Sequence, residues 1–314
     1  MSESQRINDA LRIVVGLGEL LWDMLPTGKQ LGGAPTNFAY VSRLLGNQSF
    51  VASRIGDDEQ GREALARLAQ LGLSTLYVQR DEKHSTGIVR VELDEQGEAS
   101  YTNSPDDAWD YLEWSPQWKG LASRTDAVCF GTLAQRSAES RSTIQNFLQA
   151  MRPDALRIFD VNLRHSFVTA EMLSQSLEAV RIVKLNSDEL PRVSAMLELG
   201  GRGSYAFANR LLQVFDLDLV AITRGAEGSL LVAAGDMVEH PGFRVSVADT
   251  IGAGDAFAAA LAHNYLQGAS LEQISESANR VGAWIATQTG ATPLIESNEF
   301  ARAMMKTIAS QTAK

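Results

Sequence analysis

Several short, almost uninterrupted apolar runs rich in β-branched residues constrain this chain most: 11–17, 50–54, 126–132, 157–162, 183–186 and the first part of 219–232. Runs without polar alternation belong to strands covered on both faces. Segments with apolar residues at helical spacing lie between them, at 35–46, 59–71 and 142–151. Alternating strands and helices of this kind predict a parallel sheet flanked by helices. The pattern breaks at 76–80, 86–93 and 99–103, which read as short strands between polar segments, with Glu95-Gln-Gly97 as a hairpin turn. Residues 19–23 also read as extended and are followed by a turn at Pro26, Thr27 and Gly28. A small β insertion on one large α/β domain is the expected organisation, with a glycine turn splitting 219–232 into two strands and helices at 256–266, 271–287 and 300–308.

With 314 residues, 45% of them hydrophobic, the chain can bury a large core. Its 28 basic and 38 acidic side chains give a net charge of -10, which argues against nucleic acid as the main partner. An anionic substrate would therefore need local positive charge. The single Cys129 lies in the apolar run Ala-Val-Cys-Phe, so it reads as buried packing and offers neither a disulfide nor a zinc knuckle. The polar N-terminus carries no signal-type segment, and no apolar run reaches membrane-spanning length, so a cytoplasmic protein with no membrane partner is expected.

Two glycine-rich helix starts carry the chemistry. In Asp249-Thr-Ile-Gly-Ala-Gly-Asp255 small residues sit between two carboxylates and lead into an Ala-rich helix, whose first turn exposes backbone N–H groups to an anion. Gly252, Ala253 and Gly254 would stabilise a transferring phosphoryl group, and Asp255 would take a proton from a substrate hydroxyl. The plainer alternative makes Asp255 a helix cap, which leaves the glycines unexplained. In Leu31-Gly-Gly-Ala-Pro-Thr-Asn37, Pro35 sits just inside a second helix, and the Asn37 amide can both donate to and accept from sugar hydroxyls. A third glycine pair, Gly16-Leu-Gly18, invites a dinucleotide-binding reading, but Leu21 stands where the third glycine belongs. Strand ends place Asp160, Asn162 and Arg164 where open α/β sheets bind ligands, and Arg164 reads as a phosphate or substrate contact. Asn186 and Glu189 stand three apart near a helix start, a spacing that capping alone explains.

The two glycine-rich stretches, in this order, resemble the two signatures of the ribokinase/PfkB carbohydrate kinases. The resemblance runs from about Ile13 to Pro293 and includes an N-x-x-E element at Asn186–Glu189. It implies a single ribokinase-like domain over 1–314: a three-layer sandwich with a central, mostly parallel sheet and a small β-sheet lid from segments near 19–31 and 76–104. It also implies a kinase that uses ATP and Mg2+ on a small sugar. Asp255 would be the base, Gly252–Gly254 the anion hole, and Arg164 a further catalytic or substrate contact. Asp23, Gly32, Gly33 and Asn37 would hold sugar hydroxyls. Asn186, Thr223, Arg224, Gly225, Gly228, Gly254 and Asn279 would contact nucleotide, and Glu189 would organise magnesium through water. Asp249 leaves room for a monovalent cation, K+, although Ile251 replaces the hydroxyl residue often found there. Ala34-Pro35, the 19–23 segment and Asp160-Val-Asn-Leu-Arg164 are most similar to fructokinases, while the ketodeoxy-sugar acid kinases share the last pattern. A sugar or nucleotide sensor without activity is the rival of another class. Lid strands in such kinases often pair between subunits, which allows a homodimer.

Overall fold

A computed structural model describes residues 11–25, 28–93, 99–163, 167–200 and 203–309. Its strands are β1 Ile13–Leu17, β2 Leu21–Leu25, β3 Gly28–Gly32, β4 Gln48–Gly56, β5 Val78–Asp81, β6 Gly87–Leu93, β7 Ala99–Asn103, β8 Ala127–Phe130 and β9 Leu156–Asp160. β10 Ile182–Asn186, β11 Leu219–Thr223, β12 Ser229–Ala233 and β13 Asp236–His240 complete them. Nine form one sheet in the order β13-β12-β11-β10-β9-β8-β1-β4-β5, and four form a second in the order β3-β2-β6-β7. Every neighbouring pair from β5 to β11 is parallel, and β12 and β13 turn back antiparallel.

The apolar runs form strands of the large sheet because helices cover both faces. One core contains Val15, Phe130, Phe159 and Val183 from the sheet with Phe147, Leu173 and Leu211 from helices Ala138–Ala150, Ala170–Glu178 and Ser204–Phe215. The opposite core contains Val14, Ile158 and Ile182 with Phe38, Phe257 and Ile285 from helices Ala34–Leu44, Ala253–Leu266 and Leu271–Ala286. Alternate residues of the same strands serve the two cores, as a two-residue repeat requires. Gly16 belongs to this packing: a Cβ there would lie 1.9 Å from the Pro35 carbonyl oxygen. Its glycine lets the helix approach β1, and this accounts for the residue without a dinucleotide.

The small sheet differs from expectation in one strand. Residues 76–80, expected in the insertion, contribute to β5, which pairs in parallel with β4 at the edge of the large sheet. The insertion is instead two hairpins, β2–β3 and β6–β7, joined through the parallel pair β2–β6. The expected turns at Pro26–Thr27 and Glu95–Gly97 lie outside the described residues. Asp58 caps helix Glu59–Gln70 through Gly61 N–H and also accepts from Thr86 N–H and Oγ1, which ties the start of β6 to the large domain.

Asp81 ties down the preceding segment. It accepts from Lys83 N–H at 2.8 Å and His84 N–H at 3.0 Å and pairs with Arg54 at 2.8 Å. Burial opposes the Asp81 carboxylate, but the His84 side chain, these N–H groups and the Arg54 charge outweigh it and lower its pKa to about 2. A carboxyl depressed in the folded state stabilises fully above its unfolded value of about 3.9 and loses that contribution as pH falls toward its folded value. Urea denaturation at a series of pH values should therefore show Asp81→Asn less stable than wild type at neutral pH, with the difference shrinking between about pH 4 and 2. Parallel stability curves across that window would contradict the assignment.

Candidate active site

The sites converge where the parallel strands end. A cleft of about 1030 Å³ opens beyond the C-terminal ends of β1, β10 and β11, between the large sheet and the small one. Strand order runs outward from β1 in both directions, and open sheets bind ligands at such a reversal.

The floor is made by the two glycine-rich helix starts. Helix Ala253–Leu266 begins after Gly252, whose φ of 76° is left-handed, so the chain turns sharply and aims the first helical turn into the cleft. A Cβ on Gly252 would lie 2.3 Å from the Ala291 Cβ, so the 288–292 segment packs directly beneath the turn. Ala253 N–H bonds Thr250 O at 3.2 Å and helps close the turn. Asp255 lies inside the first turn and not at the cap position, so capping does not account for it. Helix Ala34–Leu44 arrives from the other side, with Pro35 in its first turn. Its Asn37 donates from Nδ2 to Asp255 Oδ2 at 2.8 Å. The Asn37 Oδ1 is buried and has no hydrogen-bond partner among the described residues.

Around that pair the expected residues sort into two ends. Asp23 and Gly33 line one end of the cleft with Glu19, Asn162 and the apolar Leu21, Leu25, Val89 and Leu133. Gly32 does not line it; a Cβ there would strike Asp23 Oδ2, so its glycine makes room for that carboxylate. Asn186, Thr223, Arg224, Gly225, Gly228 and Asn279 line the other end, where Phe243, Val245, Val247 and Ala286 add an apolar wall. Asn279 Nδ2 is fixed by Ser229 Oγ at 2.7 Å and Ser275 O at 2.8 Å, and Arg224 pairs with Glu239 at 2.9 Å. Arg164 lies outside the described residues.

Glu189 and Asp249 stand behind the cleft wall. The Asn186–Glu189 pair forms the reciprocal bonds of a capped turn: Asn186 Oδ1 accepts from Glu189 N–H, and Glu189 Oε2 accepts from Asn186 N–H. Glu189 Oε1 reaches further and accepts from Leu163 N–H at 2.6 Å, joining the segments after β9 and β10. Burial raises its carboxyl above the usual glutamate value despite these N–H bonds. Asp249 accepts from Ile251 N–H at 2.9 Å and Gly290 N–H at 3.3 Å, bracing the turn against the 288–292 segment. Carboxylate oxygens retain a second lone pair beyond such bonds.

Sequence reasoning missed Lys184. It sits in the middle of the apolar β10, is 6% exposed, and holds both oxygens of Asp160 at 3.0 Å. Burial opposes its charge, yet Asp160, Asp255 and Glu189 raise its pKa above the usual lysine value. A lysine interrupting an otherwise apolar strand was the available signal. Cys129 is buried as expected, and burial raises its thiol far from reactivity.

Residues 10–298 match the pfkB family of carbohydrate kinases. The chain belongs to that family. This kinase is 29% identical over 304 residues to the sugar kinase PH1459 of Pyrococcus horikoshii, described as uncharacterized, with 91% of this chain and 93% of the relative covered. The PH1459 crystal structure superposes with a TM-score of 0.80 over 95% of this chain and 100% of that one at 27% identity. PH1459 has also been solved in complex with ATP, at a TM-score of 0.78 over the same shares and at the same identity. A fructokinase of Escherichia coli is 30% identical over 300 residues, 88% of this kinase and 93% of its own length. An aminoimidazole riboside kinase of Salmonella typhimurium is 28% identical over 299 residues, covering 90% and 91%. The shared architecture is the ribokinase-like fold.

The turn beneath the site gives a direct test. Gly252 and Gly268 have similar φ, 76° and 71°, but only Gly252 has a neighbour in the way; nothing lies within 4 Å of the Cβ position at Gly268. Alanine at either should cost about 1–2 kcal/mol through left-handed strain. Gly252→Ala should lower the thermal midpoint further than Gly268→Ala and reduce turnover, whereas Gly268→Ala leaves turnover near wild type. Equal melting shifts with equal activity would show that Ala291 yields freely.

Proposed function

We propose that this kinase transfers the γ-phosphoryl group of ATP to a primary hydroxyl of a neutral sugar, with fructose as the preferred substrate. The observation that carries the proposal is the Asn37–Asp255 bond, which joins a sugar-type glycine loop and a phosphate-type helix start at one point in one cleft. The unpartnered Asn37 Oδ1 fits a hydroxyl donor, and a sugar hydroxyl placed there lies beside the Asp255 carboxylate.

The nucleotide end suits ATP in shape and chemistry. Phe243, Val245, Val247 and Ala286 offer an apolar slot for a base, and the start of helix Ala253–Leu266 offers N–H groups to phosphate. ATP supplies the transferred group, and Mg2+ supplies countercharge along its phosphates. No cluster of three or more His, Cys, Asp or Glu side chains suited to a metal exists among the described residues. Magnesium would therefore be held chiefly by phosphate and water, with Glu189 ordering the Asn186 turn beside it. Asp249 would stand next to a monovalent cation, K+.

In this reading Asp255 removes the hydroxyl proton as the oxygen attacks. Asn37 holds the carboxylate toward that oxygen, and Gly252–Gly254 stabilise the charge that spreads over the moving phosphoryl group. The small sheet excludes water while Leu21, Leu25 and Val89 cover the sugar. Carboxylates at Glu19 and Asp23 favour a neutral sugar over a sugar acid, and the fructokinase relative supports fructose. Arg164 would be the partner of a carboxylated sugar.

ADP release with Mg-ATP against fructose, ribose, 2-keto-3-deoxygluconate, tagatose, aminoimidazole riboside and adenosine tests the substrate. Fructose should give the highest kcat/KM. Preference for the sugar acid would move the assignment to the acid kinases, and ATP binding without any stimulated turnover would favour a sensor. Asp255→Asn should lower kcat by about 10²–10⁴ while ATP still binds. A nearly unchanged kcat would remove Asp255 from the role of base.

A further inference from the structure

Gln30 stands where the small sheet meets the C-terminal part of the chain. It lies directly opposite Asp23 in the β2–β3 ladder, so the two side chains leave the same face of the small sheet. Leu21, Asp23 and Leu25 on that face line the cleft. Gln30 instead lays its amide on Gly290: its Cδ is 2.8 Å and its Nε2 3.2 Å from where a Cβ on Gly290 would stand. Gly290 is buried and has a φ of 76°. Glycine at 290 therefore makes the room in which a side chain of the small sheet reaches the backbone of the 288–292 segment.

That segment bears on the Gly252 turn at two points. Gly290 N–H donates to Asp249, which also accepts from Ile251 N–H, and Ala291 packs beneath Gly252. The large domain holds the following residues: Arg67 donates to Thr292 O at 3.0 Å, and the Tyr40 hydroxyl donates to Pro293 O. A segment fixed there has little room to absorb a displacement at Gly290, because close packing transmits strain. The displacement passes to Asp249 and Ala291, and so to the first turn of helix Ala253–Leu266. Cover for a glycine would require no particular strand position, so the face that Gln30 shares with Asp23 is what cover alone leaves unexplained.

The geometry points to Gln30 as a positioning residue that couples the seat of the small sheet to the Gly252 turn through Gly290. The inference rests on the kinase reading of the cleft. A sugar drawn under Asp23 sets the small sheet, and Gln30, one strand away on the same face, then fixes the segment beneath the N–H groups that meet the phosphoryl group. Loss of Gln30 should slow transfer without weakening the hold on the sugar.

Amide hydrogen exchange followed by mass spectrometry on the ligand-free protein tests the coupling without any acceptor. Gln30→Ala should speed exchange several-fold in peptides spanning 249–254 and 288–292, whereas Met24→Ala, exposed on the opposite face of the same hairpin, should leave both at the wild-type rate. With Mg-ATP and fructose, Gln30→Ala should lower kcat by about 10-fold while the fructose KM stays within about threefold of wild type, since small misplacements of reacting groups are costly in rate. Gln30→Asn keeps the amide but draws it back from Gly290; it should shift exchange and kcat in the same direction, and it serves as the readout if the alanine variant does not fold. Unchanged exchange at 249–254 in the variants that fold, or a raised fructose KM with kcat intact, would overturn the inference. Failure of the wild-type protein to turn over fructose would instead count against the proposed function, and the exchange rates would then decide the coupling by themselves.

Discussion

A 2.8 Å hydrogen bond between Asn37 and Asp255, residues 218 apart in the chain, is the contact on which the site depends. It exists because two helices on one face of the sheet begin at the same place, and they begin there because parallel strands deliver their C-terminal ends to one edge. Each helix start is prepared locally. Gly16 lets helix Ala34–Leu44 settle on β1, and Gly252 turns the chain into helix Ala253–Leu266 above Ala291. Neither glycine touches the other, yet both fix the distance across which one amide orients one carboxylate.

The charges around that bond are layered. At the cleft surface stand groups that a ligand can meet: Asp23, Asn37, Asp255, Asn186 and Arg224. Behind them Glu189 and Asp249 satisfy backbone N–H groups in the loops that carry the first layer. Carboxylates used this way, Glu189 buried and Asp249 half-buried, act as acceptors for turns whose N–H groups would otherwise go unpaired. Rigid loops then present donors and acceptors without reorganisation when charge develops.

Much of this was legible in the sequence because it is local. Unalternated apolar runs marked the buried parallel strands, and glycine spacing beside Pro35 and Asp255 marked the two helix starts. The Asn186–Glu189 bonds also followed from a spacing of three. What escaped depends on distant pairing. β5 has the mixed composition of Val78-Gln-Arg-Asp81, which suits an edge strand of either sheet, and only its ladder with β4 decides between them. Lys184 was visible as a charge in an apolar strand, but its meaning comes from Asp160, which lies opposite only after two strands pair. The bond from Leu163 N–H to Glu189 is invisible for the same reason.

The short connection between the two sheets has a mechanical consequence. Gly33 alone separates the end of β3 from the start of helix Ala34–Leu44, so the small sheet has almost no slack on that side. Its two hairpins are laddered through β2 and β6, so a tilt would carry them together as one plate. Any tilt passes through a single residue to the first turn of the helix that carries Asn37. The cover of the cleft and the amide that holds the Asp255 carboxylate are thus geared together, and under the proposed function seating the plate over a sugar would also set the angle of the carboxylate assigned as base.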